Sequence, residues 1–165
     1  MGYFAQHGIT AGPKENFASL FNRLAIREGW SKKQRSKHRT EAIIGELEVF
    51  YGTNNEKLEK WQELCRDVGI DPAPPSIKKC KKVCKHAGVQ SLLLICVQAL
   101  SKVYVNLVNL IDHRRNRSVP LRVFPNYHAF RTWTLSGKNG CRIFPKKAAK
   151  EEGFIKALLR DLQLH

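Results

Sequence analysis

Acid is what this sequence has little of, and the shortage is local. Between Pro72 and Lys150 a single carboxylate, Asp112, stands against sixteen lysines and arginines, so that stretch alone carries +15. The remainder balances: residues 1–71 hold eleven bases and ten acids, and residues 151–165 hold two and three. Unpaired charge is too costly to bury, so the basic stretch must face water, a polyanion or an acidic partner.

Other absences narrow the reading. No apolar h-region follows the start, which points to an intracellular protein, nuclear or cytoplasmic and not secreted, with reduced thiols. The five cysteines, Cys65, Cys80, Cys84, Cys96 and Cys141, are odd in number and irregularly spaced. They form no C-x2-C knuckle, and although Cys80, Cys84 and His86 lie close in sequence, buried helix-face thiols are favoured over a metal site. The most apolar segment, Ser91–Leu100, falls short of the about 20 residues a bilayer-crossing helix needs, so no membrane span is expected. No G-x-S-x-G, P-loop or H-E-x-x-H motif occurs, and no cofactor is expected. SGKNG (136–140) lacks the flanking residues of a phosphate loop. Glu46 and Glu48, two apart on a helix, face different sides. Asp112-His113 is the one acid–base neighbour pair of the basic half, with Asp112 expected to pair with Arg114, Arg115 or a lysine. No helix-turn-helix, zinc-finger or RNA-recognition signature is present.

What the 165 residues do contain is helical periodicity. Residues 1–15 read as a disordered tail, and 16–165 as one all-α domain of about six helices. Phe17, Leu20, Phe21 and Leu24 predict a helix from Asn16 to Glu28 that Gly29 ends. A second runs from Lys32 to Tyr51, its first two turns polar (KKQRSKHR), and Gly52 stops it. A third, Asn55 to Val68, has Asn55 as its cap and Leu58, Trp61, Leu64 and Cys65 on one stripe. Ile70–Pro75 is a proline-marked joint. Ser76 then caps a lysine-rich helix from Ile77 to His86. A longer apolar helix is predicted over Ser91–Asp112, a short element over Asn126–Thr134, and a last helix from Pro145 to about Leu162. A hairpin, TWTL–SGKNG–CRIF near 132–144, competes for the region before that helix, since Asn139-Gly140 suits a type I′ turn.

Taken in order, FNRLAIREGW (21–30), YG (51–52), WQELCRDVGI (61–70), SIKKCKKVCK (76–85), VYVNLVNLID (103–112) and IFPKKAAKEEGFIKALLRDL (143–162) resemble a family of small basic helical proteins of filamentous ascomycete fungi. The resemblance brings no activity, cofactor or catalytic residue with it. Some proteins of this kind are encoded beside secondary-metabolite genes, which implies an accessory role. Two departures stand out. Asn109 replaces the pattern's usual Asp, and His86–Lys102 intervenes where relatives pass almost directly between helices. That segment is either an extra helix or a translated intron.

The basic elements are Lys32–Arg39, Lys78–Lys85, Arg114–Arg122 and Lys138–Lys150. Converging, they would neutralise phosphates and release counterions. The leading expectation is a noncatalytic protein that binds nucleic acid, DNA or RNA, through phosphate contacts. Its contact residues are Lys78, Lys79, Lys81, Lys82 and Lys85, then Arg114, Arg115 and Arg117, then Lys146, Lys147 and Lys150. The first rival is an accessory module whose basic face meets an acidic protein. An enzyme with an unrecognised site comes third. Trp30, Trp61, Trp133, Phe17, Phe21, Phe50 and Phe154 read as core anchors. Tyr127 and Phe130, beside Arg122 and Arg131, are the aromatics expected to be exposed.

Overall fold

This computed structural model describes residues 1–12, 15–52, 57–80, 89–90, 92–97 and 101–136. The chain is mostly helical, the class its periodicity predicts. The helices are α1 (Tyr3–Gln6), α2 (Phe17–Arg27), α3 (Lys32–Tyr51), α4 (Leu58–Asp67), α5 (residues 77–80), α6 (Leu107–Arg115) and α7 (Tyr127–Leu135). Their ends follow local chemistry. Asn16 Oδ1 accepts from Ser19 N–H at 2.9 Å to open α2, and Asn126 Oδ1 accepts from Ala129 N–H at 2.8 Å to open α7. Gly29 and Gly69 take φ of 63° and 85°, the left-handed conformation in which a side chain is strained. Beyond them Trp30 N–H returns to the Ala25 carbonyl and Ile70 N–H to that of Cys65, closing α2 and α4. Asn55 lies outside the described residues, and α4 has Lys57 at its N-cap.

At the centre is α3, which touches α1, α2, α4 and α6. Its second half buries Ala42, Ile43, Leu47 and Tyr51 against Phe17, Leu20 and Leu24 of α2, Trp61 and Leu64 of α4, and Leu110 and Ile111 of α6. Phe124 and Phe130 form a smaller cluster with Trp133 packed on it.

Two expectations are overturned. Residues 1–15 were to be a tail, yet Tyr3, Phe4 and Ile9 are buried in the main core. Phe4 meets the Phe17 ring edge-on at 5.4 Å. Arg27 and Arg23 of α2 hold the segment by donating to the His7 and Thr10 carbonyls at 2.6 and 2.7 Å. Three apolar side chains scattered among polar ones give no periodic signal, so only the tertiary contact reveals them. The second correction concerns Ser91–Asp112, which is not one helix. β1 (Val89–Gln90), β2 (Leu92–Val97), β3 (Ser101–Val105) and β4 (Val123–Phe124) form an antiparallel meander in that order, with Leu94 opposite Tyr104 and Val105 opposite Val123. A short apolar run fits strand or buried helix equally well by periodicity, and Val103, Tyr104 and Val105 favour strand. Asn106 then opens α6 by accepting from Val108 N–H at 3.0 Å. The described part of 86–102 is therefore strand, not an extra helix. TWTL belongs to α7, which removes the first arm of the alternative hairpin. CRIF and the helix expected from Pro145 lie outside the described residues.

Gly45 sets how closely α1 lies on α3: a Cβ there would sit 3.2 Å from Tyr3 Cβ. Gly45→Val is expected to lower the urea unfolding free energy by about 1–3 kcal/mol through overpacking. An unchanged midpoint would show that α1 does not need this contact.

Candidate nucleic-acid interface

Charges placed together by sequence are separated by the fold. Arg114, Arg115 and Arg117 come at and just after the C-terminal end of α6, where cations suit the helix dipole. The structure gives all three a carboxylate partner from the acid-balanced half. Arg114 donates to Glu63 Oε1 at 3.1 Å and to Asp67 Oδ1 at 3.2 Å, and Arg117 donates to Asp67 Oδ1 at 2.7 Å. Arg115 pairs with Glu46 Oε2 at 3.1 Å and lies over the Phe4 ring, 5.1 Å from its centroid. The Asp67 and Glu46 side chains keep only 4% and 5% of their surface exposed. These arginines serve as counterions of acids on α3 and α4, so part of their charge is answered within the molecule. Arg117, whose side chain is 52% exposed, is the least committed of them.

Asp67 also accepts from the Tyr51 hydroxyl at 2.8 Å. Burial, and then the Asp67 charge and hydrogen bond, hold the Tyr51 phenol well above its usual range, so it remains a donor. Burial opposes the charge on Arg114, but Asp67, Tyr51 and Glu63 outweigh it and raise its pKa further. Burial likewise opposes ionisation of Glu63, yet the Lys60 hydrogen bond and Arg114 prevail and lower its pKa. Asp112 does not bond the neighbouring arginines. Its Oδ1 accepts from the Phe17 N–H at 2.6 Å, placing a carboxylate at the start of α2. Burial raises its pKa, against that bond and the charge of Arg115. His113 Nδ1 lies 2.7 Å from the Val119 carbonyl and Nε2 lies 3.0 Å from Arg117 Nη1. A carbonyl only accepts and a guanidinium only donates, so these two contacts suit the ring tautomer that carries hydrogen on Nδ1. The pair Asp112-His113 is thus divided between two structural tasks.

The lysines behave differently. Lys79 N–H donates to Ser76 Oγ at 3.3 Å, the cap expected for α5, and leaves Lys78 and Lys79 exposed. Neither side chain forms an ion pair among the described residues. Lys81, Lys82, Lys85, Lys146, Lys147 and Lys150 lie outside the described residues. Outside the contact residues named from the sequence, but within its first basic element, Lys32, Lys33 and Lys37 stand on the first turns of α3, all exposed.

Thiols and aromatics take core positions. Cys65 and Cys80 are buried, and the Cys80 thiol is pushed up to about 12 by burial and by its neighbour Cys65. Among the described residues no group of three or more His, Cys, Asp or Glu side chains could hold a metal ion. No described helix is long and apolar enough to cross a membrane. Phe17, Phe21 and Trp61 are core residues as expected, whereas Phe130 is fully buried and is no exposed platform. Trp133 is partly buried, with the Arg122 guanidinium 5.4 Å from its ring centroid. Neither protein-family models, curated proteins nor solved structures show a significant match to this chain.

Two stability measurements test the internal role of the cluster. Arg115→Gln leaves Glu46 buried without its cation and should cost about 3–5 kcal/mol, whereas Arg117→Gln should cost about 0.2–1 kcal/mol. Equal costs would refute the division. Because the folded-state pKa of Glu63 lies below its usual 4.5, its contribution is complete above that value and is lost as pH falls through the lower folded one. Glu63→Gln should therefore flatten the acid limb of stability against pH below 4.5. A limb that stays parallel to wild type would exclude this group as its source.

Proposed function

We propose that the protein is a noncatalytic nucleic-acid-binding protein that works through phosphate contacts, the exposed lysines supplying the charge. The observation that carries this reading is the division within the basic half. Arg114 and Arg115 of α6 and Arg117 just beyond it answer the carboxylates of α3 and α4, while Lys78 and Lys79 stay exposed with no acid set against them among the described residues. Lysine ammonium groups on flexible stems suit a repeating phosphate backbone, which demands charge more than fixed geometry. Such contacts release counterions and read no base. Binding is therefore indifferent to sequence and steeply salt-dependent. The intracellular, nuclear or cytoplasmic, setting expected from the sequence fits this role.

Fluorescence anisotropy with duplex DNA and with single-stranded RNA, titrated from low to physiological salt, tests it. Lys78→Gln with Lys79→Gln should weaken binding similarly across sequences and make the log–log salt slope on duplex DNA shallower by about 2. Tight binding to an acidic peptide, with none to either nucleic acid, would instead establish the accessory module with an acidic protein partner.

A further inference from the structure

The first two turns of α3 break the electrostatic rules of a helix while obeying every other one. A helix start is its positive end and favours acids. α3 has no acid in its first turn and begins with Lys32 and Lys33. Lys33 and Lys37, four apart, share a face, where like charges repel. Meanwhile the backbone is held firmly. Ser31 and Gln34 form a reciprocal capping box, with Gln34 Oε1 accepting from Ser31 N–H at 2.9 Å. Trp30 stacks on His38 with ring centroids 4.1 Å apart and planes at 16°, and Arg35 Nε donates to the Trp30 carbonyl at 3.1 Å. The N–H groups of Ser31 and Gln34 are thus already served by the capping box. What remains open is side-chain charge: Lys32 and Lys33 are exposed and form no ion pair among the described residues. Lys37 is 75% exposed and among the described residues pairs only with Glu41, at 3.8 Å.

We infer that Lys32, Lys33 and Lys37 form a second phosphate-contact surface, which lays the flank of α3 along a nucleic-acid backbone. This inference rests on the nucleic-acid reading above and names a surface independent of α5. A polyanion relieves the repulsion that the free protein tolerates. The local conflict is placed where no core packing requires a lysine, which is how a binding surface and not a packing constraint is recognised.

The test compares Lys32→Gln with Lys33→Gln as one double variant, which keeps the Lys37–Glu41 pair, against Lys78→Gln with Lys79→Gln. Glutamine matches lysine closely in helix propensity. Both variants and wild type are titrated against duplex DNA across salt, and each is melted alone. The α3 variant should bind more weakly, with a slope shallower by about 1 per lysine removed, and its melting temperature should not fall. Unchanged binding by the α3 variant, with weakened binding by the α5 variant, overturns this inference and leaves the broader reading standing. No binding of wild type to either DNA or single-stranded RNA at any salt overturns both. A lower melting temperature for the α3 variant overturns the premise that its lysines repel.

Discussion

Asp67 is held beneath the surface by donors from three places in the chain: the Tyr51 hydroxyl at the end of α3, Arg114 at the end of α6, and Arg117 just beyond it. Glu46 of α3 is held by Arg115. A carboxylate in such a place cannot remain ionised without a cation, and each alternative packing of α6 would strand one. Buried pairs of this kind add little net stability over apolar replacements, but they punish wrong arrangements heavily. They tie the acid-balanced and basic parts of the chain into one core, since α6 can seat Leu110 and Ile111 only in the orientation that also delivers its arginines.

That constraint sorts the positive charge. Arginine is the residue for the inward task, because its planar fork serves two carboxylates at once, as Arg114 does with Glu63 and Asp67. Lysine suits the outward task, a solvated point charge free to follow an irregular anion. The described lysines of α3 and α5 are on the exposed side of this division. The surplus of the basic half, then, misplaces the charge without changing its total: Arg114, Arg115 and Arg117 are answered by acids of residues 1–71, and the bases of that segment are left correspondingly less balanced.

Much of the helical frame was legible in the sequence, and the reason is local. The bounds of α3, the stops at Gly29 and Gly52, the starts at Asn16 and Asn126 and the cap at Ser76 each depend on residues within one turn of the boundary. The candidate site was less legible because its partners are remote. Arg114 meets residues 47 and 51 positions away, and nothing in the local pattern distinguishes it from a solvent-facing arginine. The misreading of residues 92–105 has another cause. An apolar run too short to show a period carries no signal that separates strand from helix, and only pairing partners decide. Phe130 fails in the same way, since a single aromatic beside arginines reads as exposed until Phe124 is seen 5.6 Å from it.

The persistence of helix in the repelling turns of α3 follows from cooperativity. Starting a helix is costly, whereas extending one adds a hydrogen bond for each residue fixed. The second half of α3 is started by the core, where Ile43, Leu47 and Tyr51 are fully or almost fully buried among four neighbouring helices. Residues 32–39 therefore need only to propagate, and lysine, arginine and glutamine propagate well. The capping box and the Trp30–His38 stack fix the far end, so fraying must begin against two restraints. A modest repulsion, about 0.2–0.5 kcal/mol for a like-charged pair one turn apart, is small beside these terms. The fold can thus hold lysines at a helix start without losing the helix, and that tolerance leaves the charge of this surface free of any demand from the core.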